Sequence, residues 1–277
     1  MAHGRIYFWS IILLAGALSF VGCGVGDDDE APAPSATTTV TKFAVLDGAQ
    51  AGVTTTANGT GSLTVNTGTG AASGSLFIQS PPATTVTQAH IHDEAVGGGI
   101  AVPLTDMGGG VWSVPANTVL TPAQLTSFTA GSLYYNVHTV EFPAGEIRGQ
   151  IDKTSVTLYA QLEGSQEVPV VTTSASGTGS LTVNADTGAV SGSLTIAVSP
   201  ATTVTQAHVH SGDRGANGGI VVGLTSSGGG VWSVPAGSTF TEAQRELFIA
   251  GNFYFNVHSQ ANAAGEIRGQ LDLVAAP

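Results

Sequence analysis

The amino-acid sequence predicts an all-β protein with two tandem antiparallel domains, each a Greek-key-like β-sandwich or barrel that carries one short helix. Two observations support this fold class. Short segments rich in β-branched and aromatic residues recur along the chain, separated by glycine, proline, asparagine and serine. The chain also repeats itself once. Evenly spaced short strands with turn signals between them are typical of antiparallel sandwiches and barrels.

The internal repeat sets the domain boundaries. Ala-His-Ile-His at residues 89–92 recurs as Ala-His-Val-His at residues 207–210, and both copies contain the segment Gly-Glu-Ile-Arg-Gly-Gln. A period of about 120 residues is much longer than a solenoid unit, so each copy is expected to fold as a domain. We therefore assign residues 40–152 to the first domain and residues 153–277 to the second.

Eight strands are expected in each repeat, because the segments are short, apolar or β-branched, and bounded by turn residues. The 38 glycines suit the many tight turns of such a fold. In the first repeat the expected strands cover residues 43–46, 61–66, 74–79, 85–92, 100–104, 111–114, 133–138 and 146–151.

One short helix is expected in each repeat, ahead of the strand that carries Asn-Val-His. Thr121 and Gln124 form a capping-box pattern around Pro122, which occupies the first helical position. Gly131 then ends the segment. The second repeat carries the same pattern from Thr241 onward.

Six of the seven histidines form two equivalent triplets. In each repeat, a His-x-His pair within one strand is followed by an Asn-Val-His segment within another. Alternate residues of a strand face opposite sides, so the histidines lie opposite the apolar residues of the same strands. We therefore expect them on the outer surface of each sheet. The triplets are His90, His92 and His138 in the first repeat, and His208, His210 and His258 in the second.

Three converging imidazoles form a candidate transition-metal site, because imidazole is the commonest protein ligand for these metals. The i, i+2 spacing places two rings on one face about 6.5–7 Å apart, near enough to chelate one ion. Cu(II) and Zn(II) are the candidate ions, with one coordination position left for water. Calcium is a poor candidate because it prefers oxygen ligands.

A second interpretation of the same residues is a hydrogen-bonding network without metal. Glu146 and Arg148 in the first repeat, and Glu266 and Arg268 in the second, alternate with the apolar residues of another predicted strand. They therefore share the polar side with the histidines. The sequence does not show whether the strands that carry the histidines are neighbours, so it leaves both interpretations open.

The N-terminal residues predict export and a lipid anchor. Arg5 and the apolar stretch at residues 11–20 predict a signal peptide over residues 1–22, since the stretch is too short for an ordinary membrane span. The segment that ends at Cys23, the only cysteine, resembles a bacterial lipobox, in which the cysteine is lipidated and becomes the mature N-terminus. Residues 23–39 are acidic and contain proline, so we expect a disordered tether. The protein is then expected in the cell envelope, held to a membrane through Cys23.

The composition argues against several classes of function. Without its leader the chain holds six basic and nineteen acidic residues, which argues against a nucleic-acid partner because phosphates require clustered Lys and Arg. A single cysteine allows no intrachain disulfide. No nucleophile-elbow motif or phosphate-binding glycine loop occurs in the sequence, so catalytic residues of those kinds are not expected.

The histidine segments and their flanking motifs resemble the CHRD, or chordin-type, domain. The second repeat carries the whole family pattern, at residues 164–169, 207–210, 254–258 and 265–270. The first repeat differs at its opening, where residues 48–53 read Gly-Ala-Gln-Ala-Gly-Val. The resemblance implies β-sandwich modules of poorly defined activity. The acidic tether and the repeated modules favour a non-enzymatic protein that displays two modules at the cell envelope for binding or adhesion to an unknown extracellular ligand or protein.

A more distant resemblance connects the histidines with Cu/Zn superoxide dismutase, a Greek-key barrel with a His-x-His copper pair, a later copper histidine and an active-site arginine. It implies that each triplet supplies three copper ligands and that Arg148 and Arg268 take the arginine's place. The sequence shows no bridging histidine and no zinc-ligand loop, so a dinuclear site is not expected. The alternative function is a copper- or zinc-binding protein with one three-histidine site per domain and a redox-related role, and dismutase activity stays open.

Overall fold

Each repeat forms one antiparallel sheet of nine strands within the residues that the computed structural model describes. These are residues 38–94, 98–198 and 203–273. The predicted signal peptide at residues 1–22, the lipidation site Cys23 and nearly all of the tether at residues 23–39 lie outside the described residues.

The two sheets contain equivalent sets of strands. The first consists of β1 (Thr39–Asp47), β2 (Asn58–Asn66), β3 (Ala72–Ser80), β4 (Val86–Asp93), β5 (Gly99–Pro103), β6 (Thr105–Gly108), β7 (Val111–Ser113), β8 (Leu133–Thr139) and β9 (Ile147–Gln150). The second consists of β10 (Ser155–Glu163), β11 (Ser176–Asn184), β12 (Val190–Val198), β13 (Val204–Ser211), β14 (Ile220–Gly223), β15 (Thr225–Gly228), β16 (Val231–Ser233), β17 (Phe253–Ser259) and β18 (Ile267–Gln270).

The strand order is the same in both sheets. It runs β5-β4-β8-β9-β1-β2-β3-β7-β6 in the first and β14-β13-β17-β18-β10-β11-β12-β16-β15 in the second. Each sheet curls until it is nearly barrel-like. The chain crosses over between β3 and β4, so β4 lies beside β8 instead of β3. This arrangement confirms the predicted all-β antiparallel class and brings two distant histidine segments onto neighbouring strands.

The sequence predicts eight strands per repeat, and the structure has nine among its described residues. The additional strands are β6 and β15, which read Thr-Asp-Met-Gly and Thr-Ser-Ser-Gly. All of their residues are exposed, and each strand pairs only with the short strand β7 or β16 at the end of its sheet. Strands that bury nothing carry no apolar alternation, which is why the sequence pattern does not reveal them.

The predicted helices are present as α2 (Pro122–Ala130) and α3 (Glu242–Ile249). Thr121 and Thr241 cap them, and both capping boxes are complete. Gly131 follows α2 in the left-handed conformation, with φ of 77°. The first repeat contains one more helical turn than predicted, α1 (Gly48–Ala51). A single turn is too short to show helical periodicity, so no pattern in the sequence indicates it.

Each barrel encloses its own hydrophobic core. The apolar residues that alternate with the histidines point into it, as predicted: Ala89 and Ile91 on β4 are buried in the first core, and Ala207 and Val209 on β13 in the second. The histidines therefore occupy the opposite side of the same strands.

The two repeats contact each other through α3, which lies against β2 and β3, and through Phe43 of β1. Glu246 of α3 accepts hydrogen bonds from Ser62 Oγ at 2.5 Å and Ser75 Oγ at 2.6 Å. Thr60 Oγ1 of β2 donates to the carbonyl of Ile249, also at 2.5 Å. Phe43 of β1 is fully buried within the core cluster of the second repeat. Hydrogen bonds and apolar packing therefore both join the repeats.

Among the described residues, no helix has the length and apolar character needed to cross a membrane.

Candidate metal centre

Strand pairing brings the members of each triplet together. In the first repeat β4 pairs with β8, and the register places His90 opposite Asn136 and His138 opposite Gln88. His138 is therefore the diagonal neighbour of His90 on the same face of the sheet. The second repeat pairs β13 with β17 in the same register.

The ring nitrogens converge in both repeats. Nδ1 of His90 lies 3.2 Å from Nε2 of His138, and Nδ1 of His208 lies 3.0 Å from Nε2 of His258. In each triplet one nitrogen per ring lies within 4.8 Å of the other two. Both triplets can therefore hold one metal ion, and the predicted convergence on a common point is confirmed.

Backbone carbonyls fix which nitrogen each ring offers. Nδ1 of His92 lies 2.8 Å from the carbonyl of Gly98, and Nδ1 of His138 lies 2.9 Å from that of Pro143. A carbonyl oxygen only accepts, so both rings carry their proton on Nδ1 and keep a lone pair on Nε2. The first triplet thus offers Nδ1 of His90 together with two Nε2 atoms.

The second triplet has the same arrangement. His210 Nδ1 donates to the carbonyl of Gly218 at 3.0 Å, and His258 Nδ1 donates to that of Ala263 at 3.1 Å. A carbonyl that fixes the outer nitrogen of a ligand histidine is the usual support of a protein metal site.

One nitrogen in each triplet is unsatisfied. Nε2 of His92 and Nε2 of His210 are buried and have no hydrogen-bond partner among the described residues. Burying a polar atom without a partner costs about 1–3 kcal/mol, so such atoms call for an explanation. A metal ion held by the three facing nitrogens supplies one.

The histidines are more buried than the sequence suggests. They occupy the predicted polar side of the sheet, but His90, His92 and His210 are only 8–9% exposed instead of lying on an open surface. The segments that follow β4 and β13 approach the rings through the carbonyls of Gly98 and Gly218. The sequence pattern identifies the face of the strand but gives no information about what covers it.

Burial also determines the charge of the rings. It lowers the pKa of His90, His92, His210 and His258 below the ordinary value, and it lowers the pKa of His208 to about 4. Repulsion from neighbouring rings adds to the effect at His90 and His208. These rings are therefore neutral near pH 7, the state in which imidazole binds metals.

A tyrosine and an arginine stack behind one ligand in each repeat. Tyr134 lies parallel to His92 at 5.2 Å between ring centroids, and the guanidinium carbon of Arg148 lies 3.5 Å from the centre of the Tyr134 ring. In the second repeat Tyr254 stacks on His210 at 5.1 Å, and Arg268 lies 3.5 Å from the Tyr254 ring. The stack restricts the orientation of the ligand ring.

The sequence model of the CHRD domain family matches residues 42–151 and residues 158–271, one match per repeat. The chain belongs to the CHRD domain family. Together the two CHRD repeats account for most of the chain. No match was found among curated proteins or among solved structures.

In the CHRD repeats, the glutamates and the arginines that the sequence places beside the histidines make different contacts. Glu146 is buried and accepts hydrogen bonds from Thr55 and Thr139, each at 2.8 Å. Glu266 accepts from Thr173, Ser259 and Asn262. Both carboxylates therefore brace the turn that precedes β9 or β18. The two arginines, in contrast, reach the ligand rings through the stacked tyrosines.

Three features of the centre escape sequence reasoning. The alternation along β8 and β17 places Tyr134 and Tyr254 on the histidine side, but nothing in the pattern indicates that they stack on a ligand. The carbonyls of Gly98 and Gly218 come from loops, and backbone acceptors leave no trace in a sequence. Glu167, which lies buried beside Arg268 in the second repeat, has Ala51 as its counterpart in the first.

Proposed function

We propose that each CHRD repeat binds one Cu(II) or Zn(II) ion through its three histidines, and that the chain is an exported envelope protein held to a membrane by a lipid on Cys23. The observation that carries the metal proposal is the buried Nε2 of His92 and of His210, which has no partner among the described residues and faces two further ring nitrogens.

The donor set determines the kind of ion. Three imidazoles suit Cu(II) and Zn(II), whereas magnesium and calcium prefer oxygen ligands. Three protein ligands leave one coordination position for water or an external group. When bound, the ion supplies a Lewis-acidic or redox-active centre to that group. The residues of the chain orient two of the three rings in each triplet through the carbonyls that hold their outer nitrogens.

A binding role is supported better than a catalytic one. An arginine that serves an anionic substrate has to present free N–H groups to it. In the second repeat Arg268 is 1% exposed, and its guanidinium donates to the carbonyls of Asp213 and Ala216. In the first repeat Arg148 pairs with Glu94. We therefore propose a non-enzymatic binding or adhesion protein, with superoxide dismutation as the activity to be tested against it.

The stoichiometry of metal binding tests the proposal. The leaderless chain, loaded with Zn(II) or Cu(II) and desalted, is expected to retain two ions, one per triplet. His90→Ala/His92→Ala and His208→Ala/His210→Ala are each expected to retain one, and the quadruple variant none. Gln88→Ala and Gln206→Ala change exposed residues of the same strands and serve as matched controls. Equal metal contents in the wild type and the quadruple variant would refute the proposal.

Fractionation tests the anchor separately. The full-length protein is expected in the membrane fraction of its host, and Cys23→Ala is expected in the soluble fraction. Cys23 is the only cysteine in the sequence, so its replacement removes the thiol that would carry the lipid. Equal membrane association of both proteins would exclude the lipid anchor and leave the metal proposal intact.

A further inference from the structure

Two adjoining cavities lie beside β3, and no histidine of either triplet lines them. The first has a volume of about 520 Å³ and the second a volume of about 420 Å³. Both volumes fall within the range of about 300–1,000 Å³ that is usual for small-molecule sites. The cavities share Phe77, Gln79 and Gly109 as lining residues. We call the two cavities together the β3 cleft.

We propose that the β3 cleft binds a neutral oligosaccharide, with one part of the ligand in each cavity. The proposal rests on the binding role proposed above, and it needs no metal ion. A sugar ring has an apolar C–H face and a rim of hydroxyl groups that both donate and accept hydrogen bonds. A site for it therefore has to combine aromatic or apolar surface with a few well-placed polar groups.

The apolar surface of the cleft is centred on Phe77, which is half-buried and borders both cavities. Its neighbours along β3, Leu76 and Ile78, are buried in the core of the first repeat. Because alternate residues of a strand face opposite sides, the Phe77 ring points away from that core. Trp112 and Pro82 extend the apolar surface within the first cavity. The cleft thus offers a ring against which the C–H face of a sugar can pack.

Two polar atoms of the lining residues lack a hydrogen-bond partner among the described residues. They are Nε2 of Gln79 and Oγ1 of Thr84. The Gln79 amide is held in place because its Oε1 accepts from the backbone N–H of Leu273 at 3.0 Å. A buried polar atom without a partner is costly, so a ligand hydroxyl that pairs with either atom is favoured.

The charges of the cleft argue against an anionic ligand. Arg214 is the only cation among the lining residues, and its guanidinium is paired with Asp272. Asp213 accepts from the Asn252 side chain, and Asp106 accepts from a backbone N–H at 2.8 Å. An anion would face three carboxylates without a free cation. Hydroxyl groups, in contrast, can donate to carboxylates that already have one partner, because each carboxylate accepts several hydrogen bonds.

An array of neutral oligosaccharides tests the proposal. The leaderless chain is expected to bind at least one member, and the quadruple histidine variant is expected to bind the same one, because the triplets lie outside the cleft. Loss of binding in the quadruple variant would place the ligand at the metal centres and overturn the proposal. Binding to no neutral oligosaccharide, or only to acidic oligosaccharides or peptides, would also overturn it. None of these results depends on the metal content, which tests the proposed function separately.

Tryptophan fluorescence locates the ligand. Trp232→Phe leaves Trp112 as the only tryptophan of the leaderless chain, and Trp112→Phe leaves Trp232. Titration with the bound oligosaccharide should change the fluorescence of Trp112, which lines the first cavity, and leave that of Trp232 unchanged. A Trp112 signal that stays constant at saturating oligosaccharide would place the ligand outside the cleft and overturn the proposal.

Variants of Phe77 test the ring contact. Phe77→Ala should lower the affinity for the oligosaccharide by about tenfold, because it removes the aromatic surface that both cavities share. Phe77→Tyr keeps the ring and should bind like the wild type. Ser73→Ala changes an exposed residue of the same strand outside the cleft and is the matched control. Calorimetric titration measures the affinities, and circular dichroism shows whether each variant is folded. Equal affinities of folded Phe77→Ala and the wild type would overturn the proposal, and if Phe77→Ala does not fold, the Trp112 titration decides.

Discussion

The imidazole of His92 has one nitrogen that is hydrogen-bonded and one that has no hydrogen-bond partner among the described residues. The carbonyl of Gly98 holds Nδ1, and the ring of Tyr134 lies parallel to the imidazole at 5.2 Å. These contacts orient the ring before any ligand arrives, so less conformational freedom is lost when a metal binds. The free Nε2 then acts as a preorganised donor.

Removal of the stacked ring should therefore weaken the first site. Tyr134→Ala is expected to lower the zinc affinity of the His208→Ala/His210→Ala background by about tenfold, as for other outer-sphere changes. Tyr134→Phe keeps the aromatic ring and should bind zinc like the parent. Competition titrations with a chromogenic chelator measure both affinities. A Phe variant as weak as the Ala variant would show that stacking is not the property that matters.

The lowered pKa values predict how acid affects the metal-free protein. The pKa of His208 is about 4 in the folded state and 6.5 in the unfolded chain. Between these two pH values the ring therefore binds a proton in the unfolded chain but not in the folded one. Stability contributed by the neutral ring is therefore present above the unfolded pKa and is lost as the pH falls towards 4.

Urea unfolding of the metal-free chain tests the direction of this pH dependence. The free energy of unfolding is expected to fall between about pH 7 and about pH 5, and to fall less steeply in His208→Ala/His210→Ala. The comparison of slopes removes the contribution of the carboxylates, which both proteins share. Identical slopes would mean that the buried rings do not couple to folding.

At the scale of elements, the sequence predicts what each strand or helix does alone. Alternation along β4 identifies the faces of Ala89 and His90 correctly, and the capping residues identify α2 and α3. Two kinds of element escape it. The strands β6 and β15 are wholly exposed and carry no apolar signal. The pairing of β4 with β8 is set by the long crossover, which local patterns do not encode.

The candidate site divides in the same way. The six histidines and their common face follow from residue type and period, so they can be found in the sequence. The segments that follow β4 and β13 cannot be recognised in the same way, because they contact the rings through the backbone carbonyls of Gly98 and Gly218, and every residue has such a carbonyl. Burial of the rings depends on these segments, so strand alternation alone predicts an open surface.

The capping box of α3 allows a prediction at this scale. Thr241 Oγ1 accepts from the backbone N–H of Gln244, and the Gln244 side chain accepts from the backbone N–H of Thr241. Thr241→Ala removes half of this exchange and should cost about 1 kcal/mol of unfolding free energy. Thr241→Ser keeps the hydroxyl and should cost much less. Urea denaturation measures both, and equal losses would mean that the cap contributes through its methyl group instead.

At the scale of the whole molecule, the duplication produces two candidate metal centres, but among the described residues the contact of α3 with the first sheet has no equivalent on α2. α3 lies on the first sheet through Glu246, whereas Thr126 occupies the corresponding position of α2. A threonine hydroxyl carries no charge, so it cannot replace the two charge-assisted hydrogen bonds that the Glu246 carboxylate accepts. The contact is therefore specific to the order of the repeats in this chain.

The docking contact should make the two repeats unfold together. Glu246 accepts two short hydrogen bonds from Ser62 and Ser75, and bonds to a charged group contribute about 1.5–3 kcal/mol each. In the leaderless chain the remaining tryptophans are Trp112 and Trp232, one in each repeat. Trp112→Phe and Trp232→Phe therefore give two proteins whose fluorescence reports one repeat each.

With Glu246 present, the two single-tryptophan proteins should unfold at the same urea concentration. In the Glu246→Ala background their unfolding midpoints should differ, because the carboxylate couples the second repeat to the first sheet. Glu242→Ala lies on the same helix but is exposed, and it should leave the transitions together. Coincident transitions in Glu246→Ala would place the coupling elsewhere, with Phe43 as the next residue to test, since its ring is buried in the core of the other repeat. Separated transitions with unchanged zinc content would show that each CHRD repeat holds its metal without help from its neighbour.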